Sequence, residues 1–464
     1  MKKLFGTDGM RGEAGVFPLD AETLRTVGRS LARHLGERLG RAPRFVTGRD
    51  TRESGGWIER AFASGARGVE ARVEAAGVIT TPGVAYLTRT LPADAGIVVS
   101  ASHNPYRDNG IKIFAPDGRK LDDATERLIE SDIYAARANN VNEVKASAGE
   151  VGAKADEGAA EEDRRSADAL RARYLEYLSN EVGAGLSLEG LKVVVDCANG
   201  AASALAPALL SRLGARVVSI NDSPDGRNIN LDCGSLHTEH LCRRVVEEGA
   251  QLGVAFDGDA DRSLFADARG RLVDGDATLW VLAKLMQSRG RLAGERVVAT
   301  VMSNIGLELA LRTRGVELLR ADVGDKYVLE KLLETGSALG GEQSGHIIFP
   351  RVSLAGDGMI TTLNLLRAVL EEGRSLEELT EGFERYPQVL LNVRVREKQP
   401  FEEVEEIARA AEAVRARLEG RGRLLLRYSG TEPLARVMME GPGQEEIETL
   451  AGELADVIRR RLGE

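Results

Sequence analysis

Lys192-Val193-Val194-Val195-Asp196 is an apolar run closed by a carboxylate, the pattern of a strand buried on both faces. A helical pattern follows from about Ala202 to Leu213, and Gly214-Ala215-Arg216-Val217-Val218 then returns to strand character. The same order recurs on either side. Phe45 to Gly48 leads to a helix near Trp57 to Gly68 and then to Val69-Glu70-Ala71-Arg72-Val73. Arg296 to Thr300 leads to a helix near Ile305 to Arg314 and then to Gly315-Val316-Glu317-Leu318-Leu319. A strand, a helix of a few turns, a glycine and a second strand favour parallel pairing through a right-handed crossover. Three such units in series predict three related α/β domains.

The rest of the chain frames them. An amphipathic helix is expected from Asp20 to Leu39, ahead of the first unit. Residues 139 to 167 are rich in Ala, Gly and acids, and Val151 to Asp163 has almost no large apolar side chain. Such a segment buries too little to offset its ordering entropy, so it reads as a linker or surface excursion, with helix resuming from Ala169 to Leu178. The tail changes pattern: a strand over Gln388 to Arg396, a helix over Phe401 to Leu418, strands at Arg423 to Leu426 and Arg436 to Met439, and a helix over Glu445 to Leu462. That order predicts a smaller α+β domain. The expected divisions are 1–140, 168–266, 267–375 and 385–464.

A chain of 464 residues is too long for one core, and 43% hydrophobic residues are enough to build several. A net charge of −10 argues against a nucleic-acid partner, because phosphate backbones select basic surfaces. No apolar run approaches membrane-spanning length, and the first residues lack the apolar core of a signal peptide. Three unevenly spaced cysteines (Cys197, Cys233, Cys242) make neither a disulfide framework nor a zinc site, which fits the cytoplasm.

Six loops carry candidate chemistry. Gly96-Ile97-Val98-Val99 reads as a buried strand that ends in Ala101-Ser102-His103-Asn104-Pro105. Pro105 stops the ladder and leaves Ser102 on a turn, a candidate carrier of a phosphoryl group, with Gly110 and Lys112 close behind. Leu252 to Phe256 runs into Asp257-Gly258-Asp259-Ala260-Asp261-Arg262, where carboxylates at alternate positions of an extended segment would share one side. Converging hard oxygens call for Mg²⁺. A helix–loop–helix calcium site fails, because Arg262 and Ala268 stand where its glycine and bidentate glutamate belong. In Gly341-Glu342-Gln343-Ser344-Gly345-His346 the polar residues alternate, so Glu342 and Ser344 suit hydroxyl recognition; the plain alternative is a polar hairpin with His346 as a structural hydrogen-bonder. Arg427-Tyr428-Ser429-Gly430-Thr431-Glu432-Pro433, with Arg436 nearby, combines guanidinium, hydroxyls and a glycine N–H as an anion site does. Phe5-Gly6-Thr7-Asp8-Gly9-Met10-Arg11-Gly12 is either a surface turn or a close backbone approach to an anion. Arg49-Asp50-Thr51-Arg52 lies where a strand meets a helix, a common ligand-facing edge.

Four of these motifs, in this order, closely resemble the α-D-phosphohexomutase superfamily, and the resemblance covers essentially the whole chain. Phe5 to Gly12, Gln343 and Gly430 look like the branch acting on glucosamine phosphates. The acidic excursion at 139–167 departs from the pattern and bears on the first domain boundary. The resemblance implies three related α/β domains plus a smaller C-terminal α+β domain around a central cleft. It implies Ser102 as the phosphoserine, and Mg²⁺ held by Asp257, Asp259, Asp261 and the Ser102 phosphate. Glu342 and Ser344, with His346 beside them, would face the sugar, while Arg427, Ser429, Gly430, Thr431 and Arg436 would hold its resident phosphate. Lys112, His103 and Arg11 are the candidates for proton transfer and charge stabilisation. The implied reaction interconverts glucosamine 6-phosphate and glucosamine 1-phosphate through a bisphosphorylated sugar, feeding UDP-N-acetylglucosamine synthesis. A phosphosugar is the expected partner, and a homodimer is one assembly compatible with this reading. A mutase of broader sugar tolerance, a non-catalytic phosphosugar sensor and a metal-dependent phosphatase are the alternatives.

Overall fold

The valine run is a strand, Lys192–Asp196, and it pairs in parallel with Arg216–Ile220, as the strand–helix–glycine–strand order requires. Arg44–Arg49 pairs in parallel with Arg72–Val78, and Arg296–Thr300 with Glu317–Ala321, so all three repeats are built alike. The computed structural model describes residues 3–6, 8–142, 157–429 and 432–463.

Antiparallel strands extend each parallel core. The first sheet has six strands in the order Phe5–Gly6, Gly9–Glu13, Asp108–Phe114, Ala95–Val99, Arg44–Arg49, Arg72–Val78. The second has five, in the order Leu272–Val273, Ser263–Asp267, Leu252–Phe256, Lys192–Asp196, Arg216–Ile220. The third has four, ending in the hairpin Gly340–Gly341 and Ile347–Ile348. The C-terminal sheet is wholly antiparallel, with Leu434–Glu440 between Gln388–Arg394 and Arg423–Tyr428.

The cores follow from strand alternation. Ile97 and Val99 join Phe45, Ile111 and Ile113 under the helices Ala21–Leu39 and Gly55–Arg67, whereas Val98 and Val46 face the opposite side. That second side is continuous with the cores of the second and third units, through Val193, Val195, Phe256, Trp280 and Val297. The first three units therefore share apolar packing. The C-terminal unit keeps a separate core around Ile407, Val437 and Ile458.

Two expectations are corrected. Helix resumes at Glu157, not Ala169, and runs to Tyr177. The stretch from Glu157 to Asp163 is mostly Ala and Glu, strong helix formers, and its acids suit a helix N-terminus. Residues 143–156, the centre of the expected linker, lie outside the described residues. In the tail, Phe401–Glu403 forms a short 3₁₀ turn, and the α-helix begins only at Glu405, running to Leu418.

Candidate active site

Ser102 leaves the buried strand Ala95–Val99 in a left-handed conformation, φ 53°. Such a backbone disfavours a non-glycine residue, and surrounding bonds hold it. The Ser102 N–H donates to Ser100 Oγ at 2.8 Å. Its carbonyl accepts from Arg52 Nη2 at 3.2 Å and from Asn230 Nδ2 at 2.9 Å. Arg52 is itself buried and paired with Asp50. The turn is thus pinned from its own sheet and from the second unit together. Ser102 Oγ donates to Asp257 Oδ2 at 2.6 Å and lies 3.4 Å from His103 Nδ1.

Asp257, Asp259 and Asp261 converge, but not by strand alternation. The segment after Leu252–Phe256 is a tight turn, with Ala260 at φ 57° and its N–H bonded to Asp257 O at 3.1 Å. Turning brings one oxygen of each carboxylate within 4.8 Å of the others. Gly258 is needed at the turn: a Cβ there would meet Ser102 O at 2.5 Å. Lys112, on strand Asp108–Phe114, donates to Asp259 Oδ2 at 2.9 Å and Asp261 Oδ2 at 3.3 Å. Thr81 Oγ1 donates to the same Asp259 oxygen at 2.6 Å. Asp259 Oδ1 is buried with no hydrogen-bond partner among the described residues, and Asp261 Oδ1 has only His346 Nδ1 at 3.6 Å and Arg262 Nε at 3.9 Å. Three buried carboxylates, two of them with an oxygen that lacks a hydrogen-bond partner among the described residues, fit a hard divalent cation.

The electrostatics agree with that donor set. Burial, then the charges of Asp261 and Asp259, hold the Asp257 carboxyl well above its ordinary range. Burial opposes the charge on Lys112, but Asp259, Asp8 and Asp261 outweigh it and hold the ammonium well above the usual lysine value. Burial would also raise Asp261; Lys112 and His346 overcome it and hold Asp261 well below the carboxylate range. His103 differs. Burial, and then the Arg262 and Arg11 cations, push it down, which favours the neutral ring.

Glu342, Ser344 and His346 lie on the hairpin between Gly340–Gly341 and Ile347–Ile348. Ser344 Oγ donates to Glu342 Oε2 at 3.1 Å, and Glu342 Oε1 accepts from Gly324 N–H at 3.2 Å. His346 is buried and stands between Asp261 and Asp325, its Nε2 3.9 Å from Asp325 Oδ2. Burial alone would lower it, but Asp261, Asp325 and Glu342 raise it to about 9. It is a cation within an acidic wall. His103, Arg11, Glu342 and His346 border one cavity of about 470 Å³ with Asp8 and Arg262.

Sequence reading did not assign roles to several partners. Asp8 pairs with Arg11, with Lys112 at 3.2 Å and with Lys120 at 2.8 Å; Lys120 also pairs with Asp325 at 2.7 Å. Asp8 carried a signal, since it sits in the glycine-rich loop already singled out, and Arg52 sits at the marked strand end. Asn230, Lys120 and Asp325 carried none.

The C-terminal loop stands apart. Arg427 and Arg436 are directly opposite on adjacent antiparallel strands, so two guanidiniums share one cross-strand position. Ser429 Oγ accepts from Arg436 Nη2 at 3.4 Å, and Ser429 O accepts from Lys398 Nζ at 2.6 Å. Among the described residues, no hydrogen bond or ion pair joins Arg427, Ser429 or Arg436 to the Ser102 pocket. Gly430 and Thr431, like Thr7, lie outside the described residues.

Residues 2–140, 172–270 and 274–386 match alpha/beta/alpha domains I, II and III of the phosphoglucomutase/phosphomannomutase family, and residues 390–457 match its C-terminal domain. The chain belongs to this family. Among curated relatives, a phosphoglucosamine mutase from Solibacter usitatus is 48% identical over 463 residues, covering 100% of both chains. One from Syntrophotalea carbinolica is 47% identical over 462 residues, covering 100% of this chain and 98% of the relative. A phosphoglucomutase/phosphomannomutase family protein from Burkholderia thailandensis has a similar fold, with a TM-score of 0.76 at 24% identity, covering 99% of this chain and 97% of that one. The N-acetylphosphoglucosamine mutase of Aspergillus fumigatus, crystallised with GlcNAc-6P and magnesium, gives a TM-score of 0.63 at 19% identity, covering 98% and 95%. The family assignment agrees with the resemblance carried by the four motifs and with an α/β architecture.

Proposed function

We propose that this family member is a phosphoglucosamine mutase, interconverting glucosamine 6-phosphate and glucosamine 1-phosphate through phosphoserine 102 and a bisphosphorylated sugar. The observation that carries the chemistry is Ser102 Oγ set 2.6 Å from Asp257 of a buried carboxylate triad. Support for the substrate comes from the full-length similarity, at 43–48% identity, to curated phosphoglucosamine mutases.

In the first half-reaction the sugar's free hydroxyl oxygen attacks the phosphorus of phosphoserine 102, and the P–Oγ bond breaks. The sugar loses its hydroxyl proton, and Ser102 Oγ gains one. In the second half-reaction the other phosphate returns to Oγ, so no phosphate is consumed. His103, neutral and beside Oγ, is suited to exchange that proton; Lys112, cationic among carboxylates, is better suited to hold charge. Arg11 borders the same cavity and offers a second cation. Asp257, Asp259, Asp261 and the phosphoserine would hold Mg²⁺, which when bound offsets charge on the transferring phosphoryl. Glu342 and Ser344 would meet sugar hydroxyls, and Arg427, Ser429, Gly430, Thr431 and Arg436 the resident phosphate. The setting proposed is cytoplasmic, consistent with three free cysteines and with no helix among the described residues long and apolar enough to cross a membrane.

The deciding assay compares kcat/KM for glucosamine 1-phosphate, glucose 1-phosphate and mannose 1-phosphate with Mg²⁺. A clear preference for the amino sugar is expected. Equal or better turnover of the other two would overturn the substrate and leave the transfer chemistry standing.

A further inference from the structure

Away from the catalytic cavity, a groove of about 940 Å³ lies where the first three units meet, and it shares no lining residue with the cavity around His103. Five arginines line it (Arg89, Arg289, Arg291, Arg351 and Arg367) against two glutamates, Glu181 and Glu371. In a chain of net charge −10, such a local excess of cations needs a reason.

Internal pairing accounts for part of it. Arg289 pairs with Glu371, and Arg367 Nη1 lies 3.7 Å from the same carboxylate. Arg367 Nη2 also donates to Val182 O at 2.9 Å, and Arg89 Nη1 donates to Val352 O at 3.1 Å. Helix dipoles account for another part, since Arg89 and Arg289 sit at the C-terminal ends of helices Thr81–Thr90 and Gly275–Ser288. Neither explains Arg291 and Arg351. Both lie outside helices, both are exposed, and neither guanidinium has a hydrogen-bond or ion-pair partner among the described residues. The cluster is also under mutual repulsion: burial, then Arg289 and Arg291, push the Arg367 guanidinium below its ordinary value. The groove is not purely polar, because Leu285, Phe349 and Val352 give it an apolar face.

We propose that this groove binds a small polyanion of the nucleoside-diphosphate class, its phosphates on Arg291 and Arg351 and its base against the apolar face. Guanidiniums bind phosphate oxygens through paired N–H donors and also stack on flat rings. The volume is far more than an inorganic phosphate needs and sits within the range of small-molecule pockets. Because Phe349, Arg351 and Val352 follow directly on the Ile347–Ile348 strand behind His346, the ligand would grip the segment that leads out of the catalytic wall.

The test is calorimetric titration of the full-length protein with ADP, pyrophosphate and adenosine, each against the native chain and Arg291→Ala/Arg351→Ala. ADP is expected to bind saturably, pyrophosphate more weakly, and the double substitution to weaken ADP by at least tenfold while leaving mutase kcat/KM unchanged. Arg351→Glu alone is expected to weaken ADP as well, and serves should the double variant fold poorly. No saturable ADP binding overturns the proposal. ADP binding of equal strength in the substituted chains assigns it to the catalytic cleft and overturns it too. Pyrophosphate binding as tightly as ADP removes the nucleoside from the class.

Discussion

Ser102 holds a backbone conformation that costs an ordinary residue about 1–2 kcal/mol, and it does so inside a buried turn where Arg52 and Asn230 donate to its carbonyl. That arrangement fixes the direction of Oγ toward Asp257 and leaves His103 as its near neighbour. A hydroxyl so placed is the one group in the proposed mechanism with no substitute. Ser102→Ala is expected to reduce mutase turnover below detection, abolish phosphate incorporation seen by intact mass, and leave thermal unfolding close to the native chain's. Measurable native-level turnover in that variant would remove Ser102 from the chemistry.

Among the elements, packing and titration give separate checks. Helices Ala21–Leu39 and Gly55–Arg67 cross closely, and a Cβ on Gly65 would meet Arg25 O at 1.9 Å. Gly65→Ala is expected to destabilise by about 1–3 kcal/mol through overpacking. Gly452, in helix Gln444–Leu462, has nothing within 4 Å of that position, so Gly452→Ala is expected to stabilise by about 0.5–1 kcal/mol. Urea denaturation of the two variants measures both signs. Asp357 caps helix Gly358–Glu372 and accepts from Tyr174 Oη at 2.7 Å. Burial raises it to about 6, against the partial relief of Tyr174 and the Ile360 and Met359 amides. Since the folded value exceeds the unfolded one, its contribution to stability is full below pH ~4 and is lost as pH rises through ~6. Asp357→Asn lacks that loss, so its stability relative to the native chain is expected to improve by roughly 3 kcal/mol between pH 4 and 7. A difference independent of pH would show that Asp357 ionises normally. At this scale most of the chain was legible: the Val193–Val195 run and its two counterparts announce parallel strand pairs because apolar periodicity is local. The acidic triad was legible as a set of ligands, although its geometry was not, because a positive φ at Ala260 has no sequence signature. Asn230 meets the Ser102 turn across 128 positions of chain, and nothing local to either marks the other.

Across the whole molecule, the first three units share a core while the C-terminal unit has its own. Its junction with the third unit is built on the buried Glu440. That carboxylate accepts from Ile305 N–H at 3.1 Å, Asn304 Nδ2 at 3.3 Å, Gln388 Nε2 at 2.8 Å and Arg423 Nε at 2.9 Å. Arg423 continues across to Val301 O at 2.9 Å and Ser303 O at 3.1 Å. If the C-terminal loop holds the substrate's phosphate as proposed, this junction sets its reach. Glu440→Leu strands several donors and is expected to raise KM for the phosphosugar severalfold, with a smaller change in kcat and circular dichroism retained. An unchanged KM would separate the junction from substrate binding.

That junction also decides what the protein would show its neighbours were the C-terminal unit to part from the third. Parting two greasy surfaces in a crowded cell invites strangers to adhere, and a hinge made that way would become a liability with use. Here the groups bonded across the junction are a carboxylate, amides, a guanidinium and backbone carbonyls, all of which water can satisfy in turn. A C-terminal unit that moved about this junction would expose these polar groups rather than its own core, which closes within the unit around Ile407, Val437 and Ile458.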